Sequence, residues 1–112
     1  CIDELEERLH GGQSGVDFAA AARTSRAFLE SLHKQAVQKL GGTPGSWGKT
    51  TAELRAKDVI SEPLEKYVTS LYTAISDHGV HPTVSRKEYA RVFRNTVVEY
   101  AYLFLRLLAP KL

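Results

Sequence analysis

Residues Tyr89 to Leu108 read YARVFRNTVVEYAYLFLRLL, and this stretch decides the fold class. Apolar side chains recur in it every three or four residues, which is the spacing of one face of an α-helix. The residues that keep this spacing are Tyr89, Val92, Phe93, Thr96, Val97, Tyr100, Leu103, Phe104, Leu107 and Leu108. The pattern predicts a long amphipathic helix that ends near Leu108, because Pro110 blocks further extension.

A second apolar row flanks this face and consists of Val98, Ala101, Tyr102 and Leu105. A helix with apolar residues on two sides either lies at the centre of its own bundle or packs against a second copy or another partner. Both interpretations stay open at this point. Our candidate for a dimer face is Val98, Tyr102 and Leu105.

The remaining segments also favour helices. The stretch from Val16 to Leu40 is rich in alanine and stops at Gly41–Gly42, a pair suited to a helix end. Residues Ile2 to Leu9 predict a short helix before it. Thr50-Thr-Ala-Glu53 reads as a capping box that opens another short helix.

A further helix is predicted to begin at Ser61-Glu-Pro63, since proline is tolerated in a first turn. Its predicted buried residues are Leu64, Tyr67, Val68, Leu71, Tyr72 and Ile75. We therefore predict an all-α fold: one domain over residues 1–112, a compact bundle of four to five helices with two long ones.

Composition narrows the function classes. The 112 residues carry a formal net charge of +2, which is less basic than is usual for a dedicated duplex-DNA binder. The only cysteine is Cys1, so neither an internal disulfide nor a four-cysteine metal site is possible. The apolar run Val97 to Ala109 is interrupted by Glu99 and Arg106 and is too short to span a bilayer. We expect a cytoplasmic protein with no membrane partner.

The absence of methionine and the start at Cys1 predict a fragment of a longer protein. The glycine-rich loop GGTPGSWGKT, residues 41–50, imitates a phosphate-binding loop. Its Gly42-to-Gly48 spacing is wrong, however, and a helix rather than a strand precedes it. We interpret it as a surface loop with Trp47 folded back on the core.

The polar segment SDHGVHP, residues 76–82, contains the candidate functional turn Asp77, His78 and His81. A metal could use these three side chains, with His33 or Glu30 as a further ligand. A turn in which Asp77 accepts backbone amides explains the same residues. We favour the turn, and we predict no metal and no cofactor.

Charged residues on two helices are candidate contacts for RNA or a partner. Arg23, Arg26 and Glu30 share one face of the alanine-rich helix, where an ion-pair row is the simpler interpretation. Arg86, Arg91 and Arg94, together with Lys87, form a basic edge at the start of the last helix. That edge is either a solvated face or a phosphate contact.

Three features of residues 16–108 resemble the C-terminal domain of abortive-infection-like proteins, within the HEPN group of helical domains. The first is FAAAARTSRAFLESLHKQAV, residues 18–37, with Ala22, Arg23 and Glu30 in an AR…E pattern. The second is Gly79-Val80-His81 after a helix. The third is the closing helix, which has Tyr89-Ala90 early and ends in YLFLRLL.

Many HEPN domains are ribonucleases that use an Arg-x4-6-His pair, usually across a dimer, and this chain lacks that pair. The required positions before His81 hold Ala74, Ile75 and Ser76. Counted forward from Arg94, positions 99–101 hold no histidine. The resemblance therefore implies the scaffold without its nuclease motif.

The function predicted from these features is a non-enzymatic HEPN-like module for dimerisation or partner binding. It would act within a larger bacterial protein, for which the resemblance implies a defence role. The expected partners are a second copy and the remainder of the parent protein, with RNA as a further candidate. One alternative is a ribonuclease or RNA-binding domain that uses His81 with Arg86 or Arg94. Another is a metal- or small-ligand-binding bundle around His33, His78 and His81.

Overall fold

The computed structural model describes the backbone of residues 15–80 and 87–112, and the side chains of residues 20–76 and 90–112. Four α-helices and one 3-10 turn form within these residues, which contain no strand. The helices are α1 (Gly15–Lys39), α2 (Trp47–Ala56), α3 (Glu62–Val80) and α4 (Lys87–Leu108), and the 3-10 turn is Ala109–Lys111. The predicted all-α bundle is confirmed. The helix predicted at Ile2 to Leu9 lies outside the described residues.

Helix α1 holds the bundle together, because it contacts each of the other three helices. Side chains from all four helices and from the α2–α3 connection meet in one core. It comprises Ala22, Leu29, Ala36, Val37, Leu54, Val59, Ile60, Val68, Ile75, Phe93, Val97, Tyr100, Phe104 and Leu108. No described helix is both long enough and apolar enough to cross a membrane.

The C-terminus of α1 is closed by the predicted glycine pair. Gly41 has a φ of 85°, and its N–H donates to the carbonyl of Gln38. The N–H of Gly42 reaches the carbonyl of Val37 at 2.9 Å. This is the Schellman arrangement that satisfies the last carbonyls of a helix. A Cβ at Gly42 would overlap the carboxylate of Glu53 and crowd a methyl group of Val37, so a larger residue here would force the Glu53 side chain to move.

The start of α2 corrects the predicted capping box at Thr50–Glu53. The N-cap lies four residues earlier, at Ser46, and the helix begins at Trp47. The Ser46 hydroxyl accepts from the N–H of Lys49 at 3.3 Å. Thr50 is buried inside the helix, and its hydroxyl accepts from the N–H of Gly45 at 3.0 Å. Ser46, at the end of the loop, thus caps α2. Thr50 instead holds the loop against α2 through its hydrogen bond with Gly45.

The C-terminus of α2 repeats the arrangement at the end of α1 without a glycine. The N–H of Asp58 donates to the carbonyl of Arg55, and the N–H of Val59 donates to that of Leu54, both at 3.0 Å. Val59 and Leu54 are both buried, as is usual for the apolar contact of this motif. Asp58 has a φ of 58°, which is unfavourable for a residue with a Cβ.

Substitution of Asp58 by glycine is expected to raise the free energy of unfolding by about 0.5–1 kcal/mol, because glycine adopts this conformation without strain. The matched control is Asp58→Ala, which removes the same carboxylate but keeps the Cβ and should destabilise. Urea unfolding followed by circular dichroism measures both. Stabilisation by both variants would mean that the charge of Asp58, not its backbone, is unfavourable.

Helix α3 begins as predicted and extends further than predicted. The Ser61 hydroxyl accepts from the N–H of Leu64 at 3.3 Å, and Pro63 lies in the first turn. Tyr67 is a correction: it is 50% exposed, because it lies about 100° around the helix from the buried Val68. The helix then continues through Val80, where the sequence predicted a turn.

Candidate functional site

A buried histidine lies at the centre of the most polar part of the core. The side chain of His33 is completely buried. Its Nε2 is 2.8 Å from the hydroxyl of Tyr100, and its Nδ1 is 3.4 Å from the hydroxyl of Thr51. A neutral imidazole satisfies both contacts, because one nitrogen donates and the other accepts. The network joins α1, α2 and α4 and leaves neither ring nitrogen free for a metal.

Aromatic rings extend this network to α3. The imidazole of His33 stacks on the indole of Trp47, with ring centroids 4.6 Å apart and an interplanar angle of 11°. The other face of the indole stacks on Tyr72 at 4.1 Å and 3°. Phe104 closes the cluster at 5.0 Å from His33. The predicted return of Trp47 to the core is therefore confirmed, and Trp47 connects α2 to both α1 and α3.

Burial sets the protonation of this cluster. It lowers the pKa of His33 to about 4 and raises the pKa of Tyr100 well above its usual value, because removal from water disfavours each charged form. Both groups are therefore neutral near pH 7. The arrangement satisfies the polar atoms of a core, and a proton donor or acceptor that must work near neutral pH would need a pKa closer to 7.

A groove of about 570 Å³ runs beside Trp47, between α2 and α3. Its lining consists of Trp47, Gly48, Thr51, Glu65, Lys66, Thr69 and Ser70. The indole Nε1 of Trp47 is buried without a hydrogen-bond partner. At the α2–α3 junction, Arg55 donates to Glu62 at 2.8 Å and to Glu65 at 2.9 Å. Glu65 is therefore already paired and is not a free carboxylate at the groove.

The charged residues predicted on α1 form an ion pair. Arg26 Nε lies 3.6 Å from Glu30 Oε1 within the same helix, as the ion-pair interpretation predicted. Tyr72 of α3 lies beside this pair, and its pKa is raised chiefly by burial and then by the charge of Glu30. Arg23 is exposed and also has an interaction partner. Arg26 and Glu30 thus support the contact between α1 and α3.

The basic edge predicted on α4 is described only in part. Arg91 is exposed, and Arg94 is half-buried and interacts within the chain. Arg86 lies outside the described residues. Phosphate contact by these residues stays a prediction.

The candidate turn differs in backbone from the prediction. Asp77 and His78 belong to α3 and have helical backbone, while the structure does not describe their side chains. His81 lies outside the described residues. Among the side chains that are described, no group of three His, Cys, Asp or Glu residues could hold a metal. Both ring nitrogens of His33 contact the hydroxyls of Tyr100 and Thr51, so His33 does not supply the further metal ligand that the sequence suggested.

The outward side of α4 carries several large, exposed apolar side chains. Tyr102 is 60% exposed, Leu105 is 50% exposed and Val98 is half-buried. These three candidate dimer-face residues lie together on one flank of the helix. Ala101, from the same predicted row, is buried. We call Val98, Tyr102 and Leu105 the α4 outer row.

Two residues of the apolar face that the sequence predicts for α4 do not lie in the core. Val92 is 57% exposed and Leu103 is 44% exposed. They lie on the opposite flank from the α4 outer row, about 100° or more around the helix from the buried Val97. The predicted apolar face of α4 is wider than the surface that α1 and α3 cover, so the residues at its edge remain exposed to solvent.

The His33 cluster was not predicted from the sequence. Its members come from four helices, and His33 and Tyr100 are 67 positions apart. One signal was available: His33 occupies the same helical face as Leu29, Ala36 and Val37, all of which are buried. A histidine in that position of an apolar stripe is expected in the core.

Comparison with known proteins adds no identification. No protein-family model matches the chain, and neither a curated protein nor a solved structure matches it.

Proposed function

We propose that this chain is a non-enzymatic, HEPN-like helical module that mediates dimerisation or partner binding within a larger bacterial, defence-related protein. The observation that carries the proposal is the α4 outer row. Its exposed tyrosine and leucine lie side by side on a helix whose other face is anchored in the core. Clustered apolar side chains on an otherwise polar surface are typical of protein contact sites.

The state of His33 favours binding over catalysis. His33 is the one histidine whose side chain is described, and it is buried, neutral near pH 7 and held by two hydroxyls. The nuclease motif of the family is absent from the sequence. The features that remain are those of a rigid scaffold that presents a surface.

Size-exclusion chromatography of matched tyrosine variants tests this proposal. Wild type is expected to elute as a dimer, and Tyr102→Asp is expected to raise the dissociation constant at least about tenfold, because buried tyrosines are frequent hot spots. The control is Tyr67→Asp, since Tyr67 is similarly exposed, at 50%, but lies on α3. It should elute like wild type.

Two results would contradict the proposal. If Tyr67→Asp and Tyr102→Asp weaken association equally, the α4 outer row is not the contact. If the purified chain cleaves single-stranded RNA and His81→Ala removes that cleavage, the module is an enzyme after all.

A further inference from the structure

We infer that the α4 outer row binds a second copy of this chain in an antiparallel helix pair, in which Glu99 faces the partner's Arg106. This inference rests on the proposed function and deepens it by naming the partner and its orientation.

The exposed apolar residues continue beyond the α4 outer row with coiled-coil spacing. Ala109 and Leu112 follow Val98, Tyr102 and Leu105, so that the steps along the chain are four, three, four and three residues. Ala109 is exposed, and Leu112 is 67% exposed. This alternation is that of the seam along which two helices pack. The last two positions lie in or after the 3-10 turn, so they extend the seam only approximately.

Two opposite charges flank this seam on one side. Glu99 and Arg106 are seven residues apart, and seven residues are two turns of helix, so both lie on the same flank of α4. Both side chains are exposed. Neither forms an ion pair with any side chain that the structure describes. Tyr102 lies between them along the helix. Glu99 is therefore about one turn before the centre of the seam, and Arg106 is about one turn after it.

In an antiparallel pair, the same flank of each helix faces its counterpart, and the directions of the chains are reversed. If Tyr102 packs against the partner's Leu105, then Glu99 lies beside the partner's Arg106, with an axial offset of only about 3 Å. Two-fold symmetry creates the same pair a second time. One register therefore pairs all four charges and buries the apolar seam between them.

The other arrangements leave charges unfavourably placed. In the antiparallel register one heptad away, Tyr102 packs against the partner's Val98, and Glu99 meets the partner's Glu99. A parallel pair brings Glu99 to the partner's Arg94, which already interacts within its own chain. It also places Arg91 of one copy beside Arg91 of the other, so that two like charges meet in the seam. Like charges in an interface disfavour the wrong arrangement.

Charge reversal with compensation tests the inference on the whole chain. Glu99→Arg and Arg106→Glu are each expected to raise the dimer dissociation constant about tenfold at low salt, because each creates two like-charge pairs. The double variant E99R/R106E is expected to return the dissociation constant to within about twofold of wild type, because the two ion pairs re-form with their signs exchanged. Lys34→Glu, an equal charge change at an exposed site on α1, is the control and should leave it unchanged.

The results that overturn this inference differ from those that overturn the proposed function. If both single reversals bind like wild type while Tyr102→Asp dissociates the dimer, the face is right and the antiparallel register is wrong. If Arg94→Glu rescues Glu99→Arg and Arg106→Glu does not, the helices are parallel. If wild type is monomeric at every concentration, both the inference and the homodimer fail. Melting curves of each variant establish that these exposed substitutions leave the fold intact.

Discussion

Substitution of Trp47 by alanine is expected to lower the free energy of unfolding by about 3 kcal/mol. The indole stacks on His33 with one face and on Tyr72 with the other, so the variant removes the contacts that join α2 to α1 and to α3. Because Trp47 is the only tryptophan, far-UV circular dichroism rather than fluorescence must follow the urea transition.

The control for this prediction is Trp47→Phe. The indole Nε1 has no hydrogen-bond partner, so phenylalanine loses no hydrogen bond and keeps an aromatic surface between the two rings. We expect it to cost about 1–1.5 kcal/mol, less than half the effect of alanine. Equal losses for the two variants would mean that the stack contributes little, and a loss below about 1 kcal/mol for alanine would contradict the packing described here.

Acidification is expected to destabilise the protein through His33. The pKa of His33 is about 4 in the folded state, below the value of about 6.5 expected when the chain is unfolded. As the pH falls below about 6.5, the unfolded state takes up a proton that the folded state does not. The contribution to the free energy of unfolding is therefore complete above pH 6.5 and is lost progressively towards pH 4. The expected loss is about 2 kcal/mol at pH 5 and about 3 kcal/mol at pH 4.

The variant His33→Gln isolates this effect. Its side chain is neutral at every pH and can still exchange hydrogen bonds with the hydroxyls of Tyr100 and Thr51. Carboxylates and the other histidines titrate in both proteins, so the difference between their pH profiles reports His33 alone. We expect unfolding free energies, measured with urea at pH 7, 6, 5 and 4.5, to converge as the pH falls. Parallel profiles would show that His33 is not protonated on unfolding.

The fold class was predictable because α4 and α1 carry long apolar repeats, and Pro110 and the Gly41–Gly42 pair mark their ends. These are local signals. Helix ends were less predictable, because more than one nearby residue can serve as the N-cap. Ser46 and Thr50 can both cap a helix, and the burial of Thr50, which decides the outcome, depends on the rest of the fold. The same holds for the end of α3, which continues through Gly79 to Val80 despite a glycine and polar neighbours.

The site was less predictable than the fold because it depends on contacts between distant residues. No local pattern brings Trp47 between His33 and Tyr72; only the packing of α2 across α1 and α3 does so. The α4 outer row, in contrast, was visible in the sequence as a second apolar row. What the sequence left open was which members of the two rows face solvent, and the structure resolves this in favour of Tyr102 and Leu105 over Ala101.

The central claim is that the α4 outer row joins two copies of this chain. The most direct test is the mass of the wild-type protein by light scattering after size exclusion, over a wide range of concentrations and beside Tyr102→Asp. We predict a wild-type mass of twice the 12.4 kDa of one chain that falls towards a single chain only on dilution, and a largely monomeric variant. A wild-type mass of 12.4 kDa at every concentration would contradict the claim.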